Sequence, residues 1–168
     1  MVVPKGRKSG EPTRRGEAAV TVRLLKPEDL EQVARSCFPD DDFDVIVERL
    51  QDDIRTQEAG LSWTLVAECE CEAASRGPIC GTMKIERHHL VGWIHNVAVR
   101  PDMRGRGIMQ VMFKRAEEDA RARGITRLAL HVRRDNPAAM RAYEKAGFYF
   151  AYIDGMRGDQ LRFERELE

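Results

Sequence analysis

Net charge is the first thing this chain lacks. Its 168 residues carry 28 Lys and Arg against 28 Asp and Glu, with a pI near 6.9. No global field therefore draws it to nucleic acid or to a membrane surface. Long apolar runs are missing too: none approaches the roughly 18 residues that a membrane helix needs. No export segment is recognised, so a cytoplasmic protein without a membrane span is expected. Cysteine is scarce. Cys37, Cys69, Cys71 and Cys80 make no disulfide framework and are expected to be reduced thiols packed as small core residues. Cys69-x-Cys71 with Cys80, His88 and His89 matches no finger or ribbon spacing, so no metal is expected. Internal repeats are absent, and 42% hydrophobic residues suffice for one globular core.

What charge there is lies unevenly. Residues 1–16 hold Lys5, Arg7, Lys8, Arg14 and Arg15 against Glu11, a net +4 that leaves −4 for the rest. With Pro4, Pro12, Gly6, Gly10 and Gly16 and hardly an apolar residue, 1–17 reads as a disordered basic tail. Residues 18–168 read as a single domain. Contact of the tail with an anionic partner such as nucleic acid is the lesser reading beside a solvated extension.

The most informative stretch runs from Val97 to Met109, where an apolar strand enters a basic, glycine-punctuated turn that opens a helix. Gly105 and Gly107 accept backbone angles that other residues resist. The first amides of a helix lack internal partners and carry the positive end of its dipole. Arg104 and Arg106 add full charges, so the turn suits a diphosphate; a solvated loop is the competing reading. No Gly-Lys-Ser/Thr follows, which excludes a Walker loop, and Gln110 stands where a dinucleotide fingerprint needs its third glycine.

Along the chain, Val20 to Leu25 reads as a strand. Pro27 opens a helix to about Ser36, and Asp40 to Asp42 cap a second one with Phe43, Ile46, Val47, Leu50 and Ile54 inward. Three strands follow, at Ser62–Cys71, Ile79–Ile85 and Trp93–Val99, the first two joined through Ser75 to Pro78. A helix from Gly105 to Arg123 would turn Ile108, Val111, Met112 and Ala116 inward and end at Gly124. Thr126–Val132 is a strand, Asn136 caps a helix that ends at Gly147, and Phe148–Ile153 and Leu161–Glu166 form a last hairpin. Both central β-α-β units call for parallel crossovers and the early hairpins for antiparallel pairing. An α/β class follows, with a twisted, mixed sheet of about seven strands flanked by four helices.

This order, with Arg104-Gly105-Arg106-Gly107-Ile108-Met109 and Asn136-x-x-Ala139-x-x-x-Tyr143-x-x-x-Gly147-Phe148, resembles the GNAT superfamily of N-acetyltransferases. The first motif sits where that family carries Arg/Gln-x-x-Gly-x-Gly/Ala for the coenzyme A diphosphate. Met109 departs from it, standing where Gly or Ala is usual. The resemblance implies acetyl-CoA as co-substrate, its pantetheine arm lying along Val97, Ala98 and Val99 in a V-shaped gap beside the strand at Thr126–Val132. A main-chain amide at Val97 or a neighbour would face the thioester oxyanion.

By the same resemblance Asn136 and Ala139 would touch the pantetheine, although Asn136 reads equally as a plain helix cap. Tyr143 would protonate the departing thiolate; its alternative is a packed aromatic. Some N-terminal acetyltransferases of this superfamily carry His or Glu at the place of His131, which makes His131 the candidate base, with His95 and Glu86 as runners-up. A histidine that only fills space is the alternative, and His88 and His89 read as exposed hairpin residues. Asp40, Asp41, Asp42 and Asp44 would flank the cleft and attract a cation, or merely start a helix. The final hairpin, with Asp154, Arg157 and Asp159 at its tip, offers no clear pocket. The expected acceptor is the α-amine of a protein or peptide. Alternatives are a small-molecule amine and a non-catalytic acyl-CoA-binding module; a homodimer is left open.

Overall fold

The structure, a computed structural model, describes residues 19–70 and 77–168. The expected tail at 1–17, Cys71, and Ser75 and Arg76 of the expected turn lie outside the described residues. Alternating apolar residues give β1 (Val20–Leu24), β2 (Ser62–Cys69), β3 (Ile79–His88) and β4 (Val91–Val99). They pair antiparallel in chain order. Between β1 and β2 stand α1 (Leu30–Cys37) and α2 (Phe43–Glu58).

The expected helix from Pro27 is split. Pro27–Asp29 forms a 3₁₀ turn before α1, because the Asp29 carboxylate is drawn back onto the Lys26 N–H at 2.8 Å and onto Arg23 at 2.7 and 2.9 Å. Asp42 caps α2, its carboxylate accepting from the Val45 N–H at 3.1 Å.

The second half supplies α3 (Ile108–Ala122), β5 (Arg127–Val132), α4 (Pro137–Lys145), β6 (Tyr149–Asp154) and β7 (Gln160–Glu166). The sheet is seven-stranded and mixed, ordered β1-β2-β3-β4-β5-β7-β6. Only the first expected parallel crossover joins neighbours, β4 with β5. After α4 the chain reaches the sheet edge, and β7 returns antiparallel between β5 and β6.

The core divides by sheet face. A larger cluster, including Met83, Ile85, Met112, Leu128 and Tyr143, underlies α3 and α4. A smaller one, including Val33, Ile46, Leu50 and Val66, underlies α1 and α2. The inward face of α3 is Ile108, Met112, Phe113, Ala116 and Ala120. Val111, expected inward, is 40% exposed. At 100° per residue it falls nearly opposite the centre of that stripe.

Cys37, Cys69 and Cys80 are buried, and burial pushes the Cys37 and Cys80 thiols up to about 12. No helix among the described residues is long and apolar enough to cross a membrane.

Two features of β4 position everything that follows. Asn96 takes a left-handed φ of 51°, where the β3 register shifts between Thr82 and Lys84, a bulge that re-aims the strand. On its other side β4 pairs with β5 only from Val91↔Arg127 to Ile94↔Leu130. Past that rung the two strands part. His95–Val99 have no β5 partner, while β5 continues against β7.

Candidate active site

The helix expected from Gly105 begins at Ile108, and the residues before it form the turn. Gly105 has φ 74° and Gly107, the N-cap, has φ 78°. A Cβ at either would meet nothing within 4 Å. These glycines are therefore set by backbone angle and not by crowding.

Among the described residues, no protein acceptor is bonded to the N–H groups of Gly105, Arg106, Gly107, Ile108 or Met109; the helix ladder starts with Gln110 and Val111 donating to Gly107 O. The turn's base is fixed from below. Buried Arg100 donates from Nε to Asp102 Oδ1 at 2.7 Å and from Nη1 to Gly77 O at 2.9 Å. Arg104 Nε donates to Val99 O at 3.3 Å, and Arg106 is exposed.

This turn closes one end of a cleft of about 820 Å³. Val97, Ala98 and Val99 of the unpaired β4 edge form one wall, and α4 forms the other through Asn136, Ala139 and Tyr143. Arg104, Gly105, Gly107, Ile108 and Met109 line it as well. Arg106 and His131 are not among its lining residues.

Asn136 caps α4, its Oδ1 accepting from the Ala139 N–H at 3.1 Å. Gln110 Nε2 donates to Ala142 O at 3.1 Å and ties α3 to α4 along the cleft. Tyr143, 8% exposed, sets its ring edge-on to Phe113 at 5.8 Å and beside Phe148 and Phe163. Burial holds its phenol above the usual value of 10, hence protonated. Sequence reasoning missed the segment Phe38–Pro39, which also lines the cleft with Asp40 and Asp41.

His131 sits where the strands part, one residue beyond Leu130. Leu130 and Val132 turn into the core beside Tyr143, so His131 projects from the opposite sheet face. There its Nε2–H donates to Asp154 Oδ2 at 3.0 Å, and its ring stacks on Trp93 with centroids 5.1 Å apart and planes 11° apart. With Nε2 committed, Nδ1 is the basic atom of the neutral ring.

Arg162 lies over Trp93 at 4.5 Å, donates to the Tyr152 hydroxyl at 2.6 Å and pairs with Glu164. Burial, then the nearby Arg157 charge, holds His131 below its usual 6.5, with Asp154 opposing. His95 is lowered by burial against the opposing pull of Glu86, whose Oε2 is 3.9 Å from His95 Nε2. His88 and His89 are exposed at the β3–β4 turn.

The hairpin tip that showed no pocket in sequence thus supplies Asp154, the partner of His131. Nothing in local sequence carries that signal, because it depends on β7 separating β5 from β6. Among the described residues, no three His, Cys, Asp or Glu side chains converge as a metal-ligand group.

Comparison with known proteins bears on the family and the fold. A family model described as the acetyltransferase (GNAT) family matches residues 28–148. Streptothricin acetyltransferase of Streptomyces lavendulae is 39% identical over 61 residues, 36% of this chain and 32% of that protein. The chain therefore matches about a third of that relative's length. Among solved structures, the PaiA N-acetyltransferase of Thermoplasma acidophilum in complex with coenzyme A superposes with a TM-score of 0.71 at 20% identity, covering 88% of this chain and 99% of that one. The ribosomal-protein-S18-alanine N-acetyltransferase of Escherichia coli superposes with a TM-score of 0.65 at 17% identity, covering 89% and 95%.

Proposed function

The chain belongs to the acetyltransferase (GNAT) family, and we propose that it moves an acetyl group from acetyl-coenzyme A to a primary amine in a ternary complex. One observation carries this reading. A single cleft joins the unpartnered amides of Gly105, Gly107, Ile108 and Met109, an unpaired strand edge and a buried, protonated phenol.

The amides of residues 105–109, with Arg104 and Arg106 beside them, would hold the diphosphate. The free edge of Val97–Val99 suits the amide-bearing pantetheine arm, with a main-chain N–H at Val97 or a neighbour facing the thioester oxygen. Asn136 and Ala139 would border the same arm. Met109 is only partly buried and packs against the core. A flexible thioether there leaves room for the diphosphate to settle.

The chemistry then divides between the two sheet faces. His131 Nδ1 would take the proton that the amine loses as its nitrogen attacks the thioester carbon, directly or through one water. Collapse of the tetrahedral adduct breaks the carbon–sulfur bond. The Tyr143 hydroxyl gives its proton to the leaving thiolate and recovers one from solvent. A neutral His131 at pH 7 and a protonated Tyr143 are the two states this division requires, and their shifts run in those directions.

We take residues 18–168 as the catalytic domain, working in the cytoplasm on a peptide or protein α-amine. An α-amine, with a pKa near 7.7, asks less of a base than lysine at about 10.4. Likeness to streptothricin acetyltransferase favours a small-molecule amine as the second reading.

The test is thiol release from acetyl-CoA against a panel of peptide α-amines and small amines, with products identified by mass. Acetylated peptide is expected, together with a turnover in His131→Ala well below wild type at unchanged coenzyme affinity. Saturable coenzyme binding with no product on any amine would make the chain a binding module and overturn the proposal. Wild-type turnover in His131→Ala would remove that residue from the mechanism.

A further inference from the structure

The last hairpin shows no pocket in sequence, yet its tip closes a further cavity of about 490 Å³ against the loop that follows β5. Arg133, Arg134 and Asp135 line one side of it, Arg157, Asp159 and Gln160 the other. Both sides are tied to His131. Arg133 and Arg134 stand two and three residues beyond it in the chain. Arg157 ends the 3₁₀ turn Gly155–Arg157, which Asp154 caps by accepting from the Met156 N–H at 3.2 Å. The other oxygen of that carboxylate is the one that holds His131.

Charge in this cavity does not cancel. Asp135 is taken by Arg133, at 3.0 and 2.7 Å. Asp159 folds back over its own turn, its Oδ1 3.9 Å from where a Cβ on Gly155 would stand. Among the described residues, Arg134 and Arg157 form no ion pair. Two guanidinium groups, each with five donors, are therefore left for a guest. The Arg157 charge also reaches the imidazoles, lowering both His131 and His95. Arg162, by contrast, is occupied: it pairs with Glu164 at 2.6 Å and covers the rings of Trp93 and Tyr152 at 4.5 and 5.1 Å. The aromatic faces that could hold a cationic acceptor already hold a guanidinium.

We propose that this cavity selects acidic peptides: an acceptor with its α-amine at His131 places a carboxylate side chain of its second or third residue between Arg134 and Arg157. The inference rests on the reaction proposed above and narrows its acceptor. An extended chain advances about 3.3 Å per residue, so those side chains reach the stretch that Arg133 and Arg134 occupy beyond His131. A free α-amino acid carries its carboxylate too close to its amine to span the same gap. An acceptor with a second amine sets like charge against both free arginines.

Calorimetric titration of the coenzyme A-loaded chain tests this apart from turnover. Three peptides are compared, beginning Ala-Glu-Glu, Ala-Gln-Gln and Ala-Lys-Lys and otherwise identical. The glutamate peptide is expected to bind about fivefold tighter than the glutamine one, the scale of exposed ion pairs, and the lysine peptide weakest. Arg134→Glu with Arg157→Glu should invert the order. Equal affinities, or no binding of any peptide, overturn the proposal, as does a charge-reversed chain that folds and still prefers glutamate. Should that chain fail to fold, ionic strength decides: the wild-type preference must shrink towards none near 1 M salt, and a preference indifferent to salt refutes it. Acetylation of the same peptides separates this inference from the reaction it rests on. Preferential binding of the glutamate peptide with no acetylated product keeps the cavity's role and sinks the reaction. Product from all three peptides at equal affinity does the reverse.

Discussion

Replacing Gly107 by alanine isolates what the turn before α3 contributes. Gly107 holds φ 78° and ψ 9°, and a Cβ there would touch nothing within 4 Å. Steric collision is therefore not the cost. What remains is the left-handed backbone, which costs a residue with a Cβ about 1–2 kcal/mol. If the turn keeps its shape, the protein loses that much stability. If it relaxes, the amides turn away and coenzyme must restore them on binding, which raises Kd about 5–30-fold. The two losses draw on one strain, so together they should come to about 1–2 kcal/mol. Calorimetric titration with coenzyme A gives one share and chemical denaturation the other. Gly107→Asn should recover part of it, since asparagine tolerates this conformation better. Unchanged affinity and stability in Gly107→Ala would refute the argument, as would an asparagine variant no better than alanine.

Tyr143→Phe keeps the ring packing against Phe113, Phe148 and Phe163, so its melting point should barely move while kcat falls about 10²-fold. A turnover near wild type would reduce Tyr143 to a packing residue. Asp154→Asn removes the carboxylate that favours the charged form of His131. A base works when neutral, so kcat/KM falls as pH drops through its pKa, already below 6.5. In the asparagine variant that acid limb should move to still lower pH, and the plateau should drop as the ring loses its anchor. An acid limb that moves upward in the pH–rate profile would contradict this assignment of Asp154.

The legible parts of the chain were those whose signal is local. Gly105 and Gly107 announce left-handed turns, Asn136 and Asp42 announce caps, and alternation through β2, β3 and β4 announces half of the sheet. The wall of the cleft from Val97 to Val99 was readable because strand and turn adjoin in sequence. Strand order was not, since the insertion of β7 between β5 and β6 is decided by which edge is left to pair. The setting of His131 was hidden with it. Trp93 and Asp154 reach that ring, and Arg162 covers Trp93, from three strands that carry no common spacing. Val111 departs from its expected stripe for a simpler reason: of the four apolar residues Ile108, Val111, Met112 and Ala116, the helix turns only the other three inward.

The parting of β4 from β5 has a consequence for folding as much as for chemistry. A sheet that stops being stitched halfway along leaves a slot whose main-chain groups look for partners elsewhere. A molecule with its own carbonyls and amides, threaded into that slot, mends the fabric. Such a guest should tighten the two halves of the sheet against each other, so that the protein becomes a harder body while its reactant is aboard and loosens again when the spent carrier leaves.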